Sequence, residues 1–343
     1  MKYSFHDIYP ESPHPEILKY VLKHNLDHFV DPKDDVCAQL GVERVKKAFG
    51  VSEADIHYLP NGTISNVIAL SSMLKPFEGV ICPDTGHINN YEAGALEATG
   101  HKIISVDSPD GKLTPKLIDT ALKRYMDYNN VVPRAVYLTQ VTEYGTVYTK
   151  TELNAVISHA KAKGLYVYLD GARLAMALAS KSANITLKEF GRLDLDMFYI
   201  GGTKNGGMYG EALVIKNDDL KPDFQNYMKR QGGHMGKQRP MSLQFARFFD
   251  DDNLWLSLAT HANTMAGRLR QGLASAGAEL VHGSDANHVF MVMKNKDLEE
   301  LEQDYAVDRW ENISDETTKV RLVCGWSTTS EDIDGFLSSR KFG

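Results

Sequence analysis

Lys204 stands in the run Gly201-Gly202-Thr203-Lys204-Asn205-Gly206-Gly207, directly after an apolar stretch that reads as a buried strand. Neither the lysine nor the glycines help a core. A lysine amine can form a Schiff base with an aldehyde, and desolvation or neighbouring cations move it towards nucleophilicity. Glycines let the backbone come close to a bulky group; the plainer alternative is an exposed lysine in a flexible loop. In Leu169-Asp170-Gly171-Ala172-Arg173, an acidic residue ends a strand and opens a helix. Asp170 either caps that helix or places a carboxylate beneath a protonated ring nitrogen, where it helps the ring accept electrons from a carbanion. Leu59-Pro60-Asn61-Gly62-Thr63 is again strand, then helix. Gly62 and Thr63 would offer backbone N–H groups and a hydroxyl at a helix N-terminus, a ready anion site, or form only a turn with a Thr cap. No G-x-x-x-x-G-K-S/T occurs, so a Walker loop is excluded. His87, in Asp84-Thr85-Gly86-His87, could stack on an aromatic ring or move protons, although a lone loop histidine more often does neither. Together, four strand ends carrying partners for a phosphate, a ring, a ring nitrogen and an aldehyde are much harder to dismiss than any one of them.

The elements that position these residues follow from the patterning. Apolar runs at 55–59, 79–83, 102–107, 134–139, 165–170, 196–201 and 211–216 read as strands, and the stretches 63–74, 90–99, 114–128, 150–163 and 173–181 read as helices. Repeated strand–helix alternation argues for an α/β domain whose mainly parallel, seven-stranded sheet is covered on both faces. Ligands in such sheets sit in the loops after the carboxyl ends of the strands, which is where all four motifs fall. After about residue 236 the pattern changes to helices at 240–249 and 253–276, apolar runs at 278–281, 288–293 and 319–324, and a closing helix at 331–341. This reads as a small C-terminal α+β domain, giving an N-terminal arm (1–11), a large domain (12–236) and a small domain (237–343).

The chain has 343 residues, which suggests two domains. Net charge is −7, with no basic stripe, so no nucleic-acid partner is expected. No stretch approaches the roughly 18 consecutive apolar residues of a membrane helix. The opening residues, broken by Pro10, Pro13 and Pro15, form no signal peptide. Cys37, Cys82 and Cys324 are odd in number and scattered, so neither a disulfide framework nor a zinc site is expected. They read as small buried hydrophobes of a cytoplasmic protein. Asp250-Asp251-Asp252 reads as a helix-boundary turn rather than a metal site, and no metal is expected.

These segments resemble the threonine aldolase/aromatic amino acid β-eliminating lyase family of fold-type-I, pyridoxal-phosphate-dependent enzymes, in a low-specificity threonine aldolase-like form. The likeness runs from His14-Pro15-Glu16-Ile17-Leu18 through the Asp170 and Lys204 motifs to Val320-Arg321-Leu322-Val323. The resemblance implies an aspartate aminotransferase-like large domain with pyridoxal 5'-phosphate bound as a Schiff base on Lys204. It implies that Asp170 faces the pyridine nitrogen and His87 stacks on the ring. Gly62 and Thr63, beside Asn61, form the phosphate cup. Arg173 and Arg321 hold the substrate carboxylate, for which a bidentate guanidinium is suited. Lys237, in Gly232-Gly233-His234-Met235-Gly236-Lys237, matches a loop whose cation reaches the phosphate, with Arg239 close by.

Two departures fall near the substrate. Many members carry a second histidine where this chain has Gln140-Val141-Thr142-Glu143, so Glu143 takes that place, and many have Ser-Asp where this chain reads His6-Asp7. The implied reaction cleaves a β-hydroxy-α-amino acid such as threonine or allo-threonine to glycine and an aldehyde. His87, Glu143 or a water between them takes the β-hydroxyl proton. The rivals are a β-eliminating lyase or an aminotransferase within the same chemistry, and a non-catalytic protein that binds the cofactor. A homodimer or homotetramer is expected.

Overall fold

Strand and helix starts carry local signals that the fold obeys. Asn61 caps one helix by accepting the Ile64 N–H at 2.9 Å. Thr149 and Glu152 form a capping box at another, and Pro115 sits in the first turn of a third behind Thr114. The computed structural model describes residues 3–7, 9, 11–27, 35–339 and 342. In chain order it runs β1 (Tyr3–Ser4), α1 (Pro15–Lys23), α2 (Val36–Phe49), β2 (Asp55–Leu59), α3 (Gly62–Met73), β3 (Glu78–Pro83), α4 (His87–Asn90), β4 (Lys102–Val106), α5 (Pro115–Arg124), β5 (Val132–Thr139), α6 (Lys150–Ala162), β6 (Tyr166–Asp170), α7 (Leu174–Leu178), α8 (Leu187–Gly191), β7 (Met197–Gly201) and β8 (Glu211–Ile215). There follow α9 (Phe224–Arg230), α10 (Arg239–Phe248), α11 (Leu254–Ser275), β9 (Glu279–Val281), β10 (His288–Lys294), α12 (Asn295–Leu301), β11 (Tyr305–Ala306), β12 (Asp308–Asn312), β13 (Thr317–Val323) and α13 (Ser330–Ser339).

All seven expected strands join one sheet in the order β2-β8-β7-β6-β5-β3-β4. Its inner pairs are parallel, and β8 alone runs against both neighbours, β2 and β7. Alternate residues enter two different cores: Val167, Leu169, Phe198 and Ile200 pack on one face, and Tyr168, Met197 and Tyr199 on the other. Both faces are therefore covered, as parallel strands require. Gly171, just after β6, is needed for space, because a Cβ there would lie 1.8 Å from the Tyr199 carbonyl. The Gly201 N–H donates to the Gly171 carbonyl at 3.0 Å, which clamps the ends of β6 and β7 together.

The C-terminal part forms an antiparallel sheet, β12-β13-β10-β9, packed on α11 and α13 through Leu269, Leu273, Met291, Leu322, Ile333 and Phe336. The chain start joins this core: β1 pairs with β11, and Phe5 is fully buried there.

Some expectations change. The helix expected over 90–99 is replaced by the single turn α4 and a 3-10 turn at Glu97–Thr99, because Ala93 and Gly94 take positive φ (52° and 75°). The helix expected over 114–128 stops at Arg124, and that over 173–181 covers only Leu174–Leu178. The closing helix is as expected up to Ser339, while residues 340 and 341 lie outside the described residues. Strand β12 and helix α12 carry no apolar run and had no sequence signal. Asp308-Arg309-Trp310-Glu311-Asn312 is a mostly polar edge strand held by its ladder to β13. Asp250 and Asp252 lie in the turn between α10 and α11 and pair with Arg44 (3.1 Å) and Arg247 (2.8 Å). Among the described residues no helix is long and apolar enough to cross a membrane.

Candidate active site

One cavity opens at the end of the sheet where the parallel strands terminate. Asn61, Gly62 and Thr63 reach it from the end of β2, His87 from β3, Val141 and Glu143 from β5, Asp170, Ala172 and Arg173 from β6, and Lys204 from β7. Tyr9, Asn66, Tyr199 and Glu211 complete the lining. Of the eleven residues expected at the site from their motifs or from the family resemblance, eight thus converge: Lys204, Asp170, His87, Glu143, Asn61, Gly62, Thr63 and Arg173. Asn61 is also the cap of α3.

Asp170 ends β6 on the same face as Tyr168 and is almost fully buried. Its Oδ1 accepts the Tyr199 hydroxyl at 2.5 Å and the Ala172 N–H at 2.9 Å. Its Oδ2 accepts the Tyr137 hydroxyl at 2.8 Å and the Asn66 amide at 3.0 Å. The carboxylate therefore both secures the following turn and forms a cavity wall; the N-cap position of α7 belongs to Arg173. Lys204 sits in a short 3-10 turn closed by Gly206 at φ 81°. Its Nζ lies 5.8 Å from the Tyr9 ring centre. Burial, reinforced by the Arg173 charge, pulls its ammonium down to about 8. His87 opens α4, and its Nδ1 lies 2.8 Å from the Glu92 carboxylate.

The first turn of α3 is open to an anion. Asn61 takes the Ile64 N–H with its side chain and the Ser65 N–H with its carbonyl. The N–H groups of Gly62 and Thr63 are left without a partner among the described residues, at the positive end of a helix dipole. Arg173 is buried with its Nε unpartnered.

Three expected site residues stand outside the cavity lining. Arg321, on β13, pairs with Asp308 at 2.6 Å and stacks over Trp310 at 4.4 Å, with its Nε also unpartnered. Burial and then the Arg173 charge lower its guanidinium, so the two cations feel each other. Lys237 is exposed in the loop between α9 and α10, and neighbouring Arg239 is held by Asp35 at 2.7 Å. His6 is exposed, with its Nδ1 3.2 Å from Asp7. His24, Asp27 and Cys37 lie close enough together to share an ion, and none of them lines the cavity.

Sequence reasoning missed several residues. Glu211 begins β8, and because that strand is reversed, its start lies where the others end, paired with Gly201 and Leu59. It accepts the Gly202 N–H at 2.7 Å, and burial raises its carboxyl to about 7. A glutamate opening the apolar run Ala212-Leu213-Val214-Ile215 was the available signal. Asn66 lies one helical turn beyond Gly62, a spacing that puts the two on one side of α3. His288, on β10, is fully buried with neither ring nitrogen bonded; burial, and then Arg173 and Arg321, push its imidazole well below the usual range.

The donor set fits pyridoxal phosphate: an amine with a lowered pKa, a carboxylate wall, a ring-sized histidine, and two free N–H groups at a helix start. The model of the β-eliminating lyase family matches residues 11–296. The low specificity L-threonine aldolase of Pseudomonas sp. (strain NCIMB 10558) is 36% identical over 294 residues, covering 84% of this chain and 83% of that protein. A threonine aldolase structure from Leishmania major superposes with a TM-score of 0.94 at 39% identity over 98% of both chains. A single-mutant aspartate aminotransferase from Thermus thermophilus gives 0.70 at 14% identity, covering 98% of this chain and 90% of that one, a likeness of fold alone.

Proposed function

This chain belongs to the β-eliminating lyase family, and from that premise we propose that it is a pyridoxal-phosphate-dependent aldolase. It cleaves threonine, allo-threonine or a related β-hydroxy-α-amino acid to glycine and an aldehyde. The observation that carries the reading is the convergence of Lys204, Asp170, His87 and Arg173 on one cavity beside the open end of α3. When bound, the cofactor supplies an aldehyde that condenses with amines and a ring that withdraws electrons from the amino acid's α-carbon.

The chain's own residues do the rest. Lys204 offers the amine that anchors the aldehyde, and Asp170 holds the proton on the ring nitrogen. Gly62 and Thr63 bind the phosphate through backbone N–H groups. His87, Glu143 or a water between them removes the β-hydroxyl proton, and both side chains line the cavity. The cleavage test is direct. Purified protein is incubated with L-threonine, L-allo-threonine, their D-isomers and phenylserine, and glycine is quantified. Glycine with a matching aldehyde supports the aldolase. A pyridoxamine form without glycine supports an aminotransferase, and a keto acid with ammonia a β-eliminating lyase.

Arg173 and Arg321 grip the substrate carboxylate in this reading. Two guanidiniums that sense each other, with Asp308 the partner of only one, call for a further anion. Each charge-assisted bond contributes about 1.5–3 kcal/mol. Arg173→Ala or Arg321→Ala is therefore expected to raise KM at least about tenfold while the cofactor stays bound. Unchanged KM and kcat in Arg321→Ala would remove Arg321 from the substrate site.

The protein acts as a homodimer or homotetramer. Leu18 and Leu22, one helical turn apart on α1, stand exposed, as do Leu26 and Val36, apolar side chains that a second copy would cover. Light scattering is expected to give at least twice 38.3 kDa; a fully active monomer would overturn this. Its three cysteines, free and buried, suit a reducing cytoplasm.

A further inference from the structure

We infer that Glu92 is a positioning residue that fixes the tautomer and orientation of His87, and that Asn66 couples this pair to Asp170. The inference rests on the aldolase reading for what His87 does, but not for how it is held.

Glu92 is placed by a break in the helix. In an uninterrupted helix a residue five positions after His87 would be rotated about 140° away from it. Instead α4 ends after one turn, and Tyr91, at φ −124° and ψ 10°, leaves the helical path just ahead of Glu92. The Glu92 side chain then lies fully buried, with Oε1 2.8 Å from His87 Nδ1. Because burial favours its neutral form while the His87 and Asn66 hydrogen bonds favour the carboxylate, the pair is held by specific contacts rather than by exposure to water. A carboxylate only accepts, so the proton of a neutral His87 ring resides on Nδ1 and Nε2 keeps the lone pair. This is the geometry of a base oriented by a third group.

Asn66 extends the arrangement. Its two N–H bonds go to two different carboxylates, Glu92 Oε1 at 2.7 Å and Asp170 Oδ2 at 3.0 Å. Its carbonyl accepts the Tyr168 hydroxyl at 2.9 Å, which fixes the orientation of the amide. One side chain thus spans the histidine's carboxylate and the carboxylate at the cavity wall, and a shift at either end is felt by the other. Glu92 Oε2 is buried without a partner. Packing alone does not favour a half-satisfied buried carboxylate, since an apolar side chain of similar size would stabilise the site more.

The test reads the ring nitrogens of His87 by 15N NMR in cofactor-free protein, beside steady-state kinetics of the loaded enzyme. Wild type and Glu92→Gln, whose amide oxygen still accepts from Nδ1, are expected to show the Nδ1–H form. Glu92→Leu is expected to move to Nε2–H, the form imidazole prefers in water. In Glu92→Leu, kcat falls about a hundredfold with KM changed less than about threefold, and Glu92→Gln recovers part of that loss. An unmoved tautomer in Glu92→Leu overturns the inference, as does a moved tautomer with wild-type kcat. Should wild type release no glycine from any β-hydroxy amino acid, the aldolase reading fails, while the tautomer result still decides whether Glu92 positions His87.

Discussion

Lys204→Ala is expected to leave a folded protein that neither attaches pyridoxal phosphate covalently nor turns over. The lysine makes no structural ion pair among the described residues; its Nζ faces the Tyr9 ring across the cavity. Its backbone lies in a 3-10 turn whose special conformation is carried by Gly206, so alanine fits there without strain. The loss is therefore chemical rather than structural, at least on the order of a thousandfold in kcat, within the range of a positioned acid–base or nucleophilic group. A pH dependence follows from the same amine. It attacks an aldehyde only when neutral, and burial and Arg173 bring its titration down to about 8. An ordinary lysine, titrating near 10.4, would be neutral in well under about 1% of molecules at pH 7.5. The rate of attachment to cofactor-free protein should thus rise with pH and level off just above 8. Borohydride reduction followed by peptide mass mapping locates the attachment. A labelled peptide other than the one containing Lys204, or normal turnover in Lys204→Ala, would end the assignment. A rate that keeps climbing to pH 10 would show that the amine is not depressed.

Lys204, Asp170, His87 and the Asn61–Thr63 cup were legible because each ends its strand or follows it within a few residues. A parallel sheet delivers such residues to one edge regardless of how far apart they lie in the chain. The reading failed wherever position depends on something other than a strand's carboxyl end. Glu211 enters through the amino end of β8, and a single sequence does not reveal that this strand is reversed. Tyr9 arrives from the N-terminal segment, whose neighbour Phe5 is buried in the C-terminal core, a contact with no local signature. Glu92 depends on the end of α4 at Tyr91, within a stretch where periodicity suggested an unbroken helix. Tyr199 was visible only as one more apolar strand residue, although its hydroxyl makes the 2.5 Å bond to Asp170. Arg321 shows the converse: its motif matched, and the fold gives it a carboxylate partner, Asp308, on the unforeseen strand β12.

Asp170→Ala is expected to lower kcat by at least about a thousandfold, and the hydrogen bonds around Asp170 show that it also costs stability. Four donors converge on this carboxylate: the hydroxyls of Tyr137 and Tyr199, the Asn66 amide and the Ala172 N–H. Asn66, Ala172 and Tyr199 line the cavity, and Tyr137 and Tyr199 are fully buried. Removing the acceptor strands them, at about 1–3 kcal/mol for each donor that water does not reach, so Tm should fall by roughly 5 °C or more. A loss of rate in Asp170→Ala alone would therefore not separate chemistry from disorder. Asp170→Asn separates them. Its size is unchanged, its one oxygen still accepts from two donors, and the Tyr137 hydroxyl can turn to accept from the new amide. Stability should return most of the way to wild type. The rate should not, because an amide carries no negative charge to hold a proton on the ring nitrogen, and an amide N–H turned towards that atom favours its unprotonated form. The expected pattern is two variants with different Tm and similarly low kcat. Equal recovery of both quantities in Asp170→Asn would mean that Asp170 only organises the turn and its tyrosines, and the electron-withdrawing role would have to be sought elsewhere in the cavity, where Glu143 and Glu211 are the other buried carboxylates of the lining.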